Sequence, residues 1–222
     1  IQFALWSDVH SLVFAASFLA WFLYFLESKK FKLATIFFIL SIICKEDIAL
    51  LTFLISGILF IINRDKRLLI FSLLSIAYLF AIFFVYFPYM THDGYRFQNQ
   101  GGLLSSINPE NMYNTPEKRE VLWYSIMWYG FLPLLSPLYL IAAVGDLAHY
   151  FVLGSSYVTS AQGLFLHYRS TLSLLLVWPT IIAIARFRRL NKPYFALYIL
   201  FAALIGQYIL HLPLSYLSKS WF

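Results

Sequence analysis

The stretch LATIFFILSIICKEDIALLTFLISGILFII, Leu33–Ile62, decides how the chain is built. Three consecutive charges, Lys45-Glu46-Asp47, follow Cys44 in otherwise apolar sequence. Each such charge costs about 2.5–3.5 kcal/mol near the centre of a helix in hydrocarbon, so the tripeptide is placed deliberately or faces something wet. Read as one helix, the stretch is about 45 Å long, too long for a single crossing without strong tilt. Adjacent helix residues also point about 100° apart, so three in a row do not share one cavity. Read as two short helices, Leu33–Cys44 and Ile48–Asn63, it becomes a hairpin with the charges at its turn. The first arm is then only about 18 Å long. The turn is therefore expected to sink into a polar cavity below the outer surface, as broken helices in membranes do.

Composition points the same way. Of 222 residues, 61% are hydrophobic, 20% aromatic and only 12% charged, where soluble domains carry roughly 25% charged residues. Mean hydropathy is +0.75. The expected fold is all-α: a polytopic integral membrane bundle of about eight helices or half-helices, forming a single transmembrane domain over residues 1–222. The net charge of +6 does not indicate nucleic acid, because the basic residues sit in short clusters between apolar runs. Cys44, the one cysteine, excludes an intrachain disulfide and reads as a small buried hydrophobe. The chain starts at Ile1 with no charged leader before Leu12, and is expected to be an internal piece of a longer membrane protein.

Three clusters, Lys29/Lys30/Lys32, Arg64/Lys66/Arg67 and Arg186/Arg188/Arg189/Lys192, hold ten of the sixteen lysines and arginines. The positive-inside rule places all three in the cytoplasm. Leu12–Leu26 leads to the first cluster, and the hairpin joins it to the second. Leu68–Met90 then crosses to a polar loop, Thr91–Glu120, on the outer side. Val121–Tyr150 must cross and return, turning near Pro133–Pro137, before Ser170–Ala185 enters and Tyr194–Leu212 leaves. The outer segments are then residues 1–11, 45–47, 91–120, 151–169 and 213–222. All five histidines (His10, His92, His149, His167 and His211) fall in or beside them, as do eight of the ten acidic residues. That asymmetry suggests a polar site on one face, although His, Asn and Tyr also favour membrane–water interfaces in general.

Three groups carry usable chemistry. Asp8-Val9-His10 offers a carboxylate and an imidazole as ligands for a divalent cation, or as a base with its orienting partner. Lys45-Glu46-Asp47 offers an ammonium for a phosphate and two carboxylates for a cation or sugar hydroxyls; its plain reading is an internally neutralised turn. His167-Tyr168-Arg169 stands at the outer start of a span, where arginine holds a phosphate or snorkels to headgroups. His92-Asp93-Gly94 reads as turn chemistry. No P-loop, GxGxxG, HExxH or GxSxG signature occurs, which argues against ATP-driven chemistry.

The order Asp8-Val9-His10, a span ending in a basic turn, CKEDIALL at Cys44–Leu51, FLPLLSP at Phe131–Pro137, HYRS at His167–Ser170 and Trp178-Pro179 resembles the DUF2079 family of multi-pass membrane proteins. That family is similar to the GT-C class of glycosyltransferases. The resemblance implies transfer of a sugar from a polyprenyl-phosphate carrier to an acceptor outside the plasma membrane. It implies catalytic roles for Asp8, Glu46 and Asp47, with His10, Lys45, His167, Tyr168 and Arg169 binding substrate. The first outer loop, which usually carries the catalytic carboxylate in that class, would precede Ile1, and the Arg169 of HYRS departs from the small or apolar residue expected there. The cofactor is left open; the carboxylates suit a divalent cation. The partners expected are the bilayer and the polyprenyl-phosphate-linked sugar, with no nucleic acid. A small-solute transporter using the half-helix pair, or a scaffold presenting the Thr91–Glu120 loop, are the competing readings.

Overall fold

The computed structural model describes residues 11–90, 110, 116–152, 170–186 and 192–209. Among them every regular element is helical. Eight α-helices have twelve or more residues: α1 (Ser11–Glu27), α2 (Phe31–Cys44), α3 (Ile48–Asn63), α4 (Lys66–Ala81), α5 (Pro116–Met127), α6 (Pro137–Val152), α7 (Ser170–Arg186) and α8 (Lys192–Ile209). The rod begun by α4 runs on through a π-helical stretch, Ile82–Tyr86, and a last turn, Phe87–Met90. One described helix, Lys66–Tyr86, is long and apolar enough to cross a membrane.

The stretch Leu33–Ile62 is two helices, broken after Cys44 where Lys45 adopts an extended backbone (φ −163°, ψ 144°). A single helix would hold Phe31 and Asn63 about 48 Å apart. Instead the Arg67 guanidinium, just beyond α3, lies 3.9 Å from the centre of the Phe31 ring. The α1–α2 turn and the α3–α4 turn therefore meet at one end of the molecule, and Lys45-Glu46-Asp47 caps the opposite end. Arg186 belongs to the first end as well: its charge and that of Glu27, at the end of α1, both act on the Tyr139 phenol, and its Nη1 donates to the Leu135 carbonyl at 3.3 Å, in the short 3-10 turn Leu132–Leu135 that joins α5 to α6. That turn falls where the proline spacing puts it. The helix before it, however, begins at Pro116, inside the stretch expected to be loop.

Aromatic contacts fasten α1, α2 and α4 together. Phe22 packs on Phe38 at 5.6 Å and on Phe71 at 5.5 Å between ring centres, and Phe38 meets Phe71 at 5.4 Å. The central helix is α3, which touches α1, α2, α4 and α6. Its seam with α4 is made of small hydroxyl residues, with Thr52 Oγ1 and Ser75 Oγ 2.9 Å apart. Against α6 it comes so close that a Cβ on Gly145 would lie 2.3 Å from Leu54 Cδ1. Tyr198 of α8 donates to the Gly130 carbonyl at 2.7 Å. Gly130 is at φ +60°, and a Cβ there would stand 2.8 Å from the Tyr198 ring, so both backbone and space require glycine.

The interior of this bundle is largely apolar but also holds small hydroxyls, and its exterior carries many large apolar side chains. Ser41, Thr52, Ser56, Ser72, Ser75, Ser125, Thr171 and Thr180 are buried, while Ile43, Phe84, Tyr89, Tyr194 and Phe201 are at least 64% exposed. Several buried hydroxyls donate to the carbonyl one turn back: Ser41 to Phe37 at 2.6 Å, Ser125 to Val121 at 2.6 Å and Thr180 to Leu176 at 2.7 Å. This bonding satisfies a polar side chain without water.

Candidate functional site

The pole opposite the basic turns is built on the α2–α3 turn. Ile48 N–H donates to the Lys45 carbonyl and Ala49 N–H to the Glu46 carbonyl, both at 3.2 Å, and Leu50 N–H to the Asp47 carbonyl at 3.0 Å. These bonds let α3 start directly after the charges without a side-chain cap. Lys45 Nζ donates to Asp47 Oδ2 at 2.5 Å, with the two side chains 26% and 12% exposed. Lys45 and Asp47 thus form a partly buried ion pair, which is the plain reading of the tripeptide. To hold a phosphate, Lys45 would have to release Asp47.

Glu46 is half-buried beside α4. Its carboxylate lies near enough to Tyr78 for the charge to act on the phenol, and the Tyr86 hydroxyl shares that neighbourhood. Tyr78 Oη donates to the Ile42 carbonyl at 3.1 Å, one of the carbonyls left unpaired where α2 ends. Cys44 Sγ likewise donates to Leu40 O at 3.2 Å, and the residue is only partly buried where a buried one was expected. The turn is therefore tied to the last turns of α4, and carboxylate, ammonium and phenol groups share one small region.

A second polar group reaches the same half of the molecule from α5, α6 and α7. Asp146 is 4% exposed, and its Oδ1 accepts a hydrogen bond from Thr171 Oγ1 at 3.1 Å across the α6–α7 contact. Lys118, also 4% exposed, donates to the Phe151 carbonyl near the end of α6 at 3.2 Å. Neither was singled out from sequence. The signal for Asp146 was present, because it is the only Asp, Glu, Lys or Arg between Val121 and Tyr150. A carboxylate inside an apolar run is a functional candidate on that ground alone. Its burial also refines the outward placement of the acidic residues: Asp146 faces the interior, about 9 Å short of the end of α6.

Of the sequence-derived site residues, Lys45, Glu46 and Asp47 are brought together, and they stand near Tyr78. Asp8, His10, His167, Tyr168 and Arg169 lie outside the described residues, as do the side chains of all five histidines. Among the described residues no group of three or more His, Cys, Asp or Glu is placed to hold a metal ion. No family model, curated protein or solved structure matches the chain.

Proposed function

We propose that this is a multi-pass integral membrane protein, and that its Lys45-Glu46-Asp47 pole is part of an extracytoplasmic site acting on a lipid-phosphate-linked sugar. The observation that carries the membrane reading is the apolar exterior: large hydrophobic side chains are exposed along the helices, while the hydroxyls within the largely apolar interior bond to their own helices. The meeting of Lys29, Lys30, Lys32, Arg64, Lys66, Arg67 and Arg186 at one end supports the direction, since clustered cations mark the cytoplasmic side.

The transferase part rests on the likeness to DUF2079 and GT-C proteins and on the chemistry of the pole. In such a transfer the acceptor hydroxyl loses its proton to a carboxylate as its oxygen bonds to the sugar's anomeric carbon. The bond from that carbon to the phosphate breaks, and the lipid phosphate leaves with the electron pair. Glu46 and Asp47 are the carboxylates available at the turn, and Lys45 is the cation for the leaving phosphate, joined by Arg169 if His167-Tyr168-Arg169 reaches the same pole. Asp8 and His10 would hold a cation or the acceptor. Membranes containing the chain, supplied with a polyprenyl-phosphate sugar and scored for glycosylated product, test this directly. Glu46→Gln should abolish product at unchanged protein level, and no turnover by the parent protein with any such donor would contradict it.

Asp146 favours a second reading as a transporter, because a buried carboxylate bonded across two helices is a common mark of an ion or proton path. On that reading Asp146→Asn stops solute flux, while Glu46→Gln leaves it intact.

A further inference from the structure

The basic pole brings together two turns that are 35 residues apart between Lys29 and Arg64. The Arg67 guanidinium sits on the Phe31 ring at 3.9 Å and locks one turn against the other. Two carboxylates lie in this region, and both are engaged. Asp65 accepts from Arg67 Nη2 at 2.8 Å and from Arg67 Nε at 3.1 Å. Glu27 accepts from Trp178 Nε1 at 3.1 Å. Lys29, Lys30, Lys32, Arg64 and Lys66 are all exposed, and none forms a direct ion pair among the described residues, although the Lys29 charge acts on Asp65.

Backbone geometry adds an independent sign. Lys29 and Arg64 sit in the left-handed region, at φ 57° and 56°. Each closes its helix there: the Lys29 and Lys30 N–H groups bond back to Leu26 and Phe25, and the Arg64 N–H to Phe60. Glycine is the usual residue at such a closing position because it has no Cβ to crowd the carbonyl. In both turns a cation stands where glycine would be easier. The flanking residues Leu33, Ile61, Ile62 and Ile70 are exposed and apolar, which suits acyl chains next to the charges.

We propose that the α1–α2 and α3–α4 turns together form one binding site for the phosphate-bearing headgroup of an anionic lipid, with cations from both turns on the same headgroup. The inference rests on the membrane reading above and goes beyond it, since that reading needs only that the cations lie on one side. A surface that merely obeys the positive-inside rule attracts anionic lipid in proportion to its charge. A headgroup shared by two turns does not behave so, because removing either turn's cations empties the site.

The full chain is purified in neutral detergent and titrated with short-chain phosphatidylglycerol, phosphatidylcholine or inorganic phosphate, following the thermal midpoint and the lipid retained in native mass spectra. Phosphatidylglycerol is expected to raise the midpoint and to be retained, while phosphatidylcholine and inorganic phosphate have no such effect. K29Q/K30Q/K32Q and R64Q/K66Q should each weaken phosphatidylglycerol binding by at least about tenfold. K29R/K30R/K32R should keep it, which separates lost charge from lost fold. Three results overturn the site: equal response to phosphatidylcholine, full response to inorganic phosphate, or losses that scale only with the charges removed. Washing membranes with alkaline carbonate keeps the two failures apart. A chain that washes off defeats the membrane reading, whereas one that stays but ignores headgroup charge defeats only this site.

Discussion

At one end of the bundle five cations stand exposed with no direct ion pair among the described residues, while at the other Lys45 is tied to Asp47 and both are mostly withdrawn from solvent. The same residue types thus serve opposite purposes at the two poles. Where charge is left unmatched on the surface, it is available to an external anion and costs the fold little. Where it is matched and partly buried, it is part of the fold, and removing one partner strands the other in a poorly hydrated place. The difference also separates two kinds of hypothesis: the basic pole invites recognition of something charged, and the Lys45-Glu46-Asp47 pole invites chemistry on something brought into a partly dry site.

The largest expected effect lies in the interior of the second half. Asp146→Ala leaves the buried Thr171 hydroxyl without its carboxylate, and should lower stability by about 1–3 kcal/mol. Asp146→Asn keeps an acceptor and should cost less than half of that. Thermal or denaturant unfolding in detergent reads both, and equal stability of all three proteins would show that the interior pair does not matter to the fold.

Next comes the contrast between poles. A double-mutant cycle on Lys45→Ala and Asp47→Ala should give a coupling of about 1 kcal/mol, as suits a partly buried pair. Lys30→Ala and Lys66→Ala, whose side chains are exposed, should each shift stability by no more than about 0.5 kcal/mol. A basic pole as sensitive as the other would break the comparison.

Lys29→Gly and Arg64→Gly sharpen it from the other side. Each relieves a left-handed non-glycine residue and should stabilise by up to about 1 kcal/mol. The same changes should weaken anionic-lipid retention, so stability and binding would move in opposite directions.

The smallest effect concerns acid. The Arg67 side chain, and after it the Arg67 backbone N–H, hold the Asp65 carboxyl below its usual range, with a lesser contribution from the charge of Lys29. A depressed carboxylate adds stability above its unfolded pKa, and loses it as pH falls through the folded one. The parent protein should therefore exceed Asp65→Asn slightly in thermal midpoint at neutral pH, and the gap should close in acid. A gap that widens in acid would reverse the assigned sign.

Much of the fold was legible because charges in an apolar chain are costly enough to mark helix ends. Lys45-Glu46-Asp47 broke the long run and Pro133–Pro137 located the next turn, whereas the Asp65 cap on α4, made through the Arg67 N–H, was not read from the sequence. The start of α5 was misread because polar residues suggested loop. Pro116, at the first helical position and followed by Glu117, is equally a sign of a helix start. Of the site, only the turn itself was legible. The meeting of Asp146 with Thr171, or of Arg67 with Phe31, depends on how separate helices register against each other, and hydropathy carries no such information. The left-handed Lys29 and Arg64 were hidden for a related reason: glycine, which usually announces that conformation, is absent from both positions.

The central claim is that the two poles lie on opposite sides of a membrane. It is tested most directly with single cysteines, Glu46→Cys and Ser28→Cys, each in a Cys44→Ala background, treated in intact cells with a small membrane-impermeant thiol reagent. Glu46→Cys leaves the Lys45–Asp47 pair in place, and Ser28 is exposed in the α1–α2 turn. The account predicts that position 46 is labelled in intact cells and position 28 only after the cells are opened. Labelling of both positions in intact cells, or of 28 alone, would contradict it.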